Sequence, residues 1–239
     1  GHPARFVPLG ALERPRLVCG RRGGRYTGVS SHMPVDEEIR SKTASGNDAQ
    51  ALEELSILTV RDTVLFPHAM LPITVGRPSS LALVEALGEN RLFGVVSQLD
   101  PRVETPGPED LYQVGTVAML HKAIRVPKEN LLLFCEGVSR MRTREFTATQ
   151  PFLKARVERI PEIEPEEDAE LEALVQSAVT MFQQIVAGSP NLSDDLATVA
   201  GNITEPGKLA DFIGGTLPSL SHADRQQLLE QVDARARLN

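Results

Sequence analysis

Serine and histidine residues that could act as a nucleophile or a base are scattered along this chain, outside any complete catalytic motif. Residues 137–139 (Gly-Val-Ser) come nearest to a nucleophile elbow, but Met141 occupies the position of its second glycine. His68 and His121 have no second metal-ligating residue four positions on, so we interpret both as structural or surface histidines. The sequence has no G-x-x-x-x-G-K-[ST] loop, which nucleotide hydrolysis needs. These patterns predict a chain that is no enzyme by itself, with no catalytic residue, metal or cofactor.

Two further patterns resemble chemical sites, and each has a simpler explanation. Cys19 and Cys135 form neither a metal-ligand spacing nor a disulfide framework, and we interpret Cys135 as a small buried hydrophobe within a strand. Residues 161–168 include five carboxylates. The helix dipole favours acidic groups at a helix N-terminus, so we predict a helix start here. A metal or catalytic carboxylate cluster is the alternative.

The composition is that of a soluble globular protein. The chain has 239 residues, 41% of them hydrophobic, and no apolar run approaches the roughly 20 residues that span a bilayer. Two unrelated cysteines favour a reducing compartment. We therefore predict a cytoplasmic protein that does not bind a membrane.

The first 50 residues differ from the rest and are predicted to be a disordered leader or tail. Residues 1–32 carry six arginines against one glutamate, whereas the whole chain has a net charge of −7. Three explanations stay open for these residues: sequence upstream of a natural start at Met33, a transit signal, or a flexible tail. A transit signal would also be amphipathic, and this segment is not.

The elements that would hold any site begin with a pair of apolar runs around a proline. Residues 57–60 and 71–75 have the length of strands, and they flank Pro67, while Pro72 lies inside the second run. Because proline cannot donate to a sheet, each run must lie at an edge, a strand start or a bend. We predict a bent strand pair here.

A short helix and four more strands follow. The helix is predicted over residues 81–87, capped by Ser79 or Ser80. Bends are expected at Gly115 and Gly137, and alternation in the last strand predicts a half-buried edge. The predicted strands cover residues 92–98, 114–126, 131–146 and 152–160. Residues 100–110 contain three prolines and are predicted to be a mobile loop.

Beyond residue 160 the apolar period changes from that of a strand to that of a helix, and four helices are predicted. Ser193 can cap the second helix and Thr204 the third. Ser221 and Asp224 have the capping-box spacing before the fourth helix. The sequence therefore predicts an α+β chain: a small six-stranded pseudo-barrel with one helix, then a four-helix lobe.

The stretch around Pro67 resembles a known family. Residues 57–77 read ILTVRDTVLFPHAMLPITVGR and are similar to L-P-x-R-D-x-x-x-F-P-x-x-x-x-P-x-x-V-G-R, which opens the N-terminal domain of the Lon protease family. Thr59 stands where that family usually has proline. The matching residues are Leu58, Arg61, Asp62, Phe66, Pro67, Pro72, Val75, Gly76 and Arg77.

Later matches in the same order extend this resemblance over roughly residues 55–238. Residues 100–101, 108–112 and 114–117 look like the family's D-P…P-x-D-L-Y-x-V-G-T-x-A, and residues 136–140 look like its V-E-G-x-x-R. Residues 189–193 and 203–213 look like S-P-N-L-S…I-x-x-P-G-x-L-A-D-F-I-A. Gly214 and Gly215 replace bulkier helix formers, so we expect this helix to end early or fray.

The resemblance implies a domain layout and a function. It implies a PUA-like barrel lobe over residues 51–162 and a helical lobe over residues 163–239. It also implies the substrate-recognition and assembly domain of a Lon-type ATP-dependent Ser–Lys protease, or a stand-alone relative. The ATPase and peptidase modules of that family lie after the matched region. The partners would be unfolded or misfolded protein segments, with self-association through the full protease.

An RNA-binding pseudo-barrel is the alternative, because the Lon barrel is similar in architecture to RNA-binding modules. The acidic balance beyond residue 32 and the few aromatic residues count against nucleic acid. For a protein client we predict a binding site at Phe66, Pro67, Met70 and Leu71. Pro67 holds the bend open, and Met70 can repack against varied sequences. That these residues instead belong to the core is the alternative, favoured for Phe66.

Overall fold

The computed structural model describes residues 52–88, 91–127, 130–163, 165–166 and 168–239. These residues belong to one compact unit that spans residues 48–239. The predicted leader, residues 1–50, lies outside the described residues. Among the described helices, none is both long enough and apolar enough to cross a membrane.

Six strands form one mixed sheet whose pairing is nearly circular. Their order is β2-β5-β4-β3-β1-β6, and β5 also pairs with β6. The 19-residue β5 makes this possible, because its first half pairs with β2 and its second half with β6. The bounds are β1 (Glu53–Val60), β2 (Met70–Val75), β3 (Leu92–Ser97), β4 (Val114–Val126), β5 (Asn130–Ala148) and β6 (Leu153–Arg159). The predicted α+β class with a six-stranded sheet is confirmed. We call the closed circle of β1 and β3–β6 the barrel.

Two predictions about strand partners were wrong. β1 and β2 do not pair with each other: β1 lies between β3 and β6, and β2 pairs with β5. β6 is no edge, because it pairs with both β1 and β5. Its alternation separates buried Leu153, Ala155 and Val157 from an outer polar face, as expected of a barrel wall. β2 lies at a free edge of the sheet, where Pro72 is tolerated.

The two strand glycines have different roles. Gly115 does not interrupt β4, which is continuous; a side chain there would overlap the carbonyl oxygen of Val95. At Gly137 the predicted bend takes the form of a β-bulge, since the pairing of β4 with β5 shifts register between Val117 and Ala118. A side chain at Gly137 would overlap the carbonyl oxygen of Phe66. Both glycines thus permit a close approach of two backbones.

One α-helix and a three-residue 3-10 helix (Pro108–Asp110) accompany the barrel, and five α-helices follow it in the described chain. The bounds are α1 (Pro78–Ala86), α2 (Ala169–Gly188), α3 (Asp195–Asn202), α4 (Pro206–Thr216), α5 (His222–Glu230) and α6 (Ala234–Leu238). The sequence predicted only four of α2–α6, because α6 is a single short turn. We call α2–α6 the helical part.

Helix starts were predicted with mixed success. The capping box holds: Ser221 Oγ accepts from Asp224 N at 3.1 Å, and Asp224 Oδ2 accepts from Ser221 N at 3.1 Å. Asp168 caps α2 by accepting from Leu171 N at 2.7 Å, so the acidic run does lead into a helix start. The caps at Ser79 or Ser80 and at Thr204 were wrong. Both α1 and α4 start with a proline, which needs no capped N–H.

Separate apolar cores fill the barrel and the helical part. One barrel cluster contains Leu58, Phe93, Leu133 and Cys135, and α1 packs against it through Leu83. Cys135 is fully buried, as predicted, and burial raises the pKa of its thiol to about 12. The helical core lies between α2, α3 and α4. A further, smaller cluster joins the barrel to α5.

Candidate functional site

The segment that joins β1 to β2, residues 61–69, is fixed to the barrel by hydrogen bonds. Thr116 Oγ1 donates to the Leu65 carbonyl at 2.5 Å. His68 N donates to the Gly137 carbonyl at 2.8 Å, and Gly137 N donates to the Ala69 carbonyl at 3.0 Å. His68 has a positive φ of 62°, a conformation that non-glycine residues seldom adopt. These contacts give the bend around Pro67 one defined shape.

Phe66 connects this bend to the helical part. It is 1% exposed and belongs to a cluster with Val114 and Leu229. Its ring lies under Gly214 and Gly215: a Cβ at Gly215 would be 3.4 Å from the ring, and one at Gly214 would be 3.5 Å away. α4 continues through both glycines to Thr216, so the prediction that it ends early was wrong. A Cβ at either glycine would be in ordinary van der Waals contact with the ring, so this part of α4 packs directly against Phe66.

The other predicted site residues have unequal exposure. Pro67 is buried, and Leu71 is half-buried against the barrel core. Met70 is 56% exposed. These burial values make Met70 the most accessible of the four residues.

A groove of about 560 Å³ lies between this bend and helices α3 and α4, and all four predicted residues line it. The opposite wall contributes Val199, which is 43% exposed, together with half-buried Ile203 and Phe212. The sequence analysis did not identify these three residues. They read as ordinary members of amphipathic helices, and only the packing of α3 and α4 against the bend reveals them.

Charged residues of the groove are neutralised by partners. Lys208 Nζ donates to Glu205 Oε1 at 2.7 Å, and this hydrogen bond is the largest cause of the lowered pKa of the Glu205 carboxyl. Asp211 also lines the groove, but it is only 2% exposed, and its carboxylate accepts hydrogen bonds from arginines. The remaining lining is largely apolar.

A buried ion network fixes the helical part to the barrel beside the groove. Arg140 of β5 donates to both oxygens of Asp211 in α4, at 2.9 and 2.6 Å. Arg237 of α6 donates to Asp211 Oδ1 at 2.6 Å and to Glu162 Oε1 at 2.5 Å. Arg140 Nε also donates to the Leu229 carbonyl at 2.9 Å. The network therefore ties three helices to one barrel strand.

Of the residues first considered for catalysis, His68 lines the groove, whereas His121 and Ser139 lie outside it. His121 Nε2 is 2.6 Å from Glu136 Oε2 on the barrel surface. Ser139 Oγ is buried without a hydrogen-bond partner. Within the described residues, no group of three or more His, Cys, Asp or Glu side chains could hold a metal ion. What the groove offers is apolar contact, a flexible methionine and neutralised charges.

The fold is that of an α+β domain in which a barrel and a helical part enclose a largely apolar groove. The family model described as "ATP-dependent protease La (LON) substrate-binding domain" matches residues 54–239. The chain therefore belongs to the family of Lon protease substrate-binding domains.

Two relatives agree with this membership. The chain is 49% identical over 205 residues to a Lon protease of Koribacter versatilis, covering 86% of this chain and 24% of the relative. It is 40% identical over 194 residues to a Lon protease of Dictyoglomus thermophilum, covering 80% and 24%. The chain thus spans about a quarter of the length of these relatives.

The fold is similar to two solved Lon N-terminal domains. One is from the Mycobacterium avium complex, with a TM-score of 0.63 and 23% identity, covering 78% of this chain and 94% of that structure. The other is from Xanthomonas campestris, with a TM-score of 0.56 and 20% identity, covering 78% and 95%. At these identities the likeness concerns the fold alone.

Proposed function

We propose that this chain recognises unfolded or damaged protein segments for a Lon-type ATP-dependent protease, without catalysing a reaction itself. The observation that carries the proposal is the apolar groove lined by Phe66, Pro67, Met70 and Leu71. Family membership supports it, because the family is described as a substrate-binding domain. The RNA-binding alternative gains no such support.

The physical basis is burial of apolar side chains that a folded protein would hide. Met70 and Val199 leave apolar surface exposed to water on opposite walls of the groove. A client segment that covers both removes this surface from water, at roughly 25 cal/mol per Å². Methionine has three rotatable bonds and adapts to differently shaped partners, which suits a site that must accept many sequences.

The test compares two groove variants with a matched surface variant. Met70→Asp and Val199→Asp should each weaken binding of fluorescently labelled β-casein at least fivefold in an anisotropy titration. The thermal midpoint should hardly move, because both side chains are exposed. Met181→Asp changes an equally exposed methionine of α2 outside the groove and should leave binding unchanged.

Two results would count against the groove. Unchanged β-casein affinity in both variants, at unchanged stability, would exclude it as the client site. A loss of stability of about 2 kcal/mol or more in Met70→Asp would instead mean that Met70 has a core role.

Several further properties belong to the same proposal. The isolated chain should neither hydrolyse ATP nor cleave casein, and it should act in the cytoplasm within a self-associating protease. Turnover that survives rigorous purification would contradict the non-catalytic role.

We also propose separate lobes over residues 51–162 and 163–239. Limited proteolysis should then cut within residues 161–168 or 100–110 before it cuts within α2.

A further inference from the structure

A second cavity, of about 860 Å³, lies on the barrel at the start of α1 and shares no lining residue with the groove. Arg61, which directly follows β1, and Arg77, which directly precedes α1, contribute to its wall. Ser79 and Ser80 of the first turn of α1 line it as well. We call this cavity, with these four residues in its wall, the α1 pocket.

The first turn of α1 presents backbone N–H groups that no described residue accepts. The first hydrogen bond of the helix runs from Leu81 N to the Arg77 carbonyl at 3.0 Å, and the Arg77 side chain does not cap the helix. Pro78 has no N–H, so the free donors belong to Ser79 and Ser80. The partial positive charge of a helix N-terminus adds to the attraction of these donors for an anion.

Ser80 provides independent evidence for a ligand. It is 6% exposed, yet its hydroxyl makes no hydrogen bond to a described residue. A buried hydroxyl is nearly always paired, because burial removes its hydrogen bonds to water. Since Ser80 lines the α1 pocket, an acceptor that enters the pocket would satisfy this hydroxyl.

Arg77 has a positive charge that is bound only by neutral groups. Its guanidinium donates to three of them: Thr59 Oγ1 at 3.0 Å, Gln98 Oε1 at 2.9 Å and the Val103 carbonyl at 3.5 Å. A guanidinium has five N–H donors, so donors remain for a ligand. Within the part of the chain that the structure describes, neither Arg77 nor Arg61 belongs to an ion pair.

Positive charge predominates in the α1 pocket. Burial and the nearby charge of Arg61 lower the pKa of the Arg77 guanidinium, whereas the charge of Glu104 raises it. The charged members of the described lining are these two arginines and this one glutamate. An anion bound beside both guanidinium groups would therefore reduce their mutual repulsion and form charge-assisted hydrogen bonds.

The remaining lining is partly apolar. Pro106, Pro151 and Phe152 also line the α1 pocket, whose volume lies in the range of sites for small molecules. An inorganic ion would leave these side chains without a contact. The cavity therefore suits an anionic group that is attached to an apolar organic group.

We propose that the α1 pocket binds a small organic phosphate, whose phosphate group contacts Arg61, Arg77, Ser79 and Ser80. A phosphate monoester has three terminal oxygens and about two negative charges, which match these donors better than the two oxygens and single charge of a carboxylate. This site goes beyond the proposed function, because both its surface and its ligand differ from those of the groove.

The test is a calorimetric titration of the 239-residue chain with phenyl phosphate, inorganic phosphate and benzoate. Phenyl phosphate should bind with one equivalent and about fivefold or more tightly than inorganic phosphate, because its ring adds apolar contact. It should also bind more tightly than benzoate, which has one oxygen and one charge fewer. A pentapeptide with one phosphoserine should bind more weakly than phenyl phosphate, because its polar backbone must lose water beside the apolar lining.

Two variants remove donors of the pocket without removing a described contact. Ser80→Ala deletes the unpaired hydroxyl, and Arg61→Gln deletes an exposed charge. Each should weaken phenyl phosphate binding by about fivefold or more. The thermal midpoint without ligand should not fall in either variant. Lys122→Gln is the control, because it removes a positive charge from an exposed position of β4 outside the pocket and should leave binding unchanged.

Four results would overturn this inference. The first is no detectable binding of phenyl phosphate at millimolar concentration. The second is unchanged binding in both Ser80→Ala and Arg61→Gln. The third is an equal loss of binding in Lys122→Gln, which would mean attraction by positive charge in general. Tighter, Arg61-dependent binding of the phosphoserine peptide would overturn the assignment to a small molecule.

Discussion

The contact between the barrel and the helical part has two unlike regions. In one, Arg140, Asp211 and Arg237 are charged and almost completely buried. In the other, the groove, Met70 and Val199 are apolar and exposed. Solvation favours the opposite arrangement, in which charged side chains are exposed and apolar side chains are buried. The observed arrangement is explained if the ion network fixes the relative position of the two parts, so that the apolar groove can stay open for a partner.

The largest expected effect comes from removing the carboxylate of the network. Asp211→Ala leaves two buried guanidinium groups without their shared acceptor, and loss of one member of a buried ion network typically costs about 3–5 kcal/mol. Chemical denaturation should show this loss. Glu54→Ala, which removes an exposed carboxylate on β1, should change stability by less than about 0.5 kcal/mol. Similar small effects in both variants would mean that the network does not hold the two parts together.

The second effect concerns the bend that forms one wall of the groove. Gly137→Ala places a methyl group against the carbonyl oxygen of Phe66, so the backbone of the bend must shift. We expect a destabilisation of about 1–3 kcal/mol and weaker client binding, since the wall moves with it. Gly201→Ala is the control, because its nearest new neighbour would be Gln183 Nε2 at 3.6 Å. Loss of stability without loss of binding would separate the bend from the client site.

Local signals predicted the parts of this fold that depend on neighbouring residues. The capping box at Ser221 and the strand lengths of β3 and β4 follow from spacings within a few residues. The predictions that were wrong concern features that depend on residues distant in the sequence. The partners of β1 and β2 are set by closure of the barrel, and short-range alternation contains no information about closure.

The candidate site shows the same division. Proline and methionine at the bend were visible as residue types, whereas Val199 joins the groove only because α3 packs beside the bend. Gly214 and Gly215 were misread because helix propensity alone counts against glycine. Their contact with Phe66 lies almost 150 positions away in the chain. Asp211 in the apolar run LADFI was a signal of a buried partner that the sequence analysis did not use.

A smaller effect tests the fit between Phe66 and α4. At Gly215, an added Cβ would be 3.4 Å from the Phe66 ring, and the position is exposed to solvent. Gly215→Ala should therefore gain part of the helix propensity of alanine, up to about 1 kcal/mol of stability. Gly215→Leu should lose that gain by crowding the ring and the groove floor. If Gly215→Ala is destabilising, the fit is tighter than the distance indicates.

We expect the smallest effect on stability from a change at Asp168, an exposed carboxylate that, like Asp211, accepts a hydrogen bond from an arginine. Asp168 accepts from Leu171 N at the start of α2 and from Arg235 Nη2 of α6 at 2.6 Å. The hydrogen bond from Arg235 is the largest cause of the lowered pKa of the Asp168 carboxyl. Because the folded-state pKa is the lower one, the stabilisation is fully present above the unfolded-state value near 4 and disappears as the pH falls through the folded-state value.

Asp168→Asn keeps a side chain that caps helices well but removes the charge. At pH 7 the variant should be slightly less stable than the unmodified chain, and the difference should shrink as the pH falls below about 4. Thermal midpoints measured across that range at constant ionic strength would show it. Binding of β-casein at pH 7 should be equal in both proteins, because Asp168 is outside the groove. A difference in stability that persists in acid would mean that Asp168 contributes through the geometry of the cap and not through its charge. Asp168 could then no longer be compared with Asp211 as an exposed charge with a buried one.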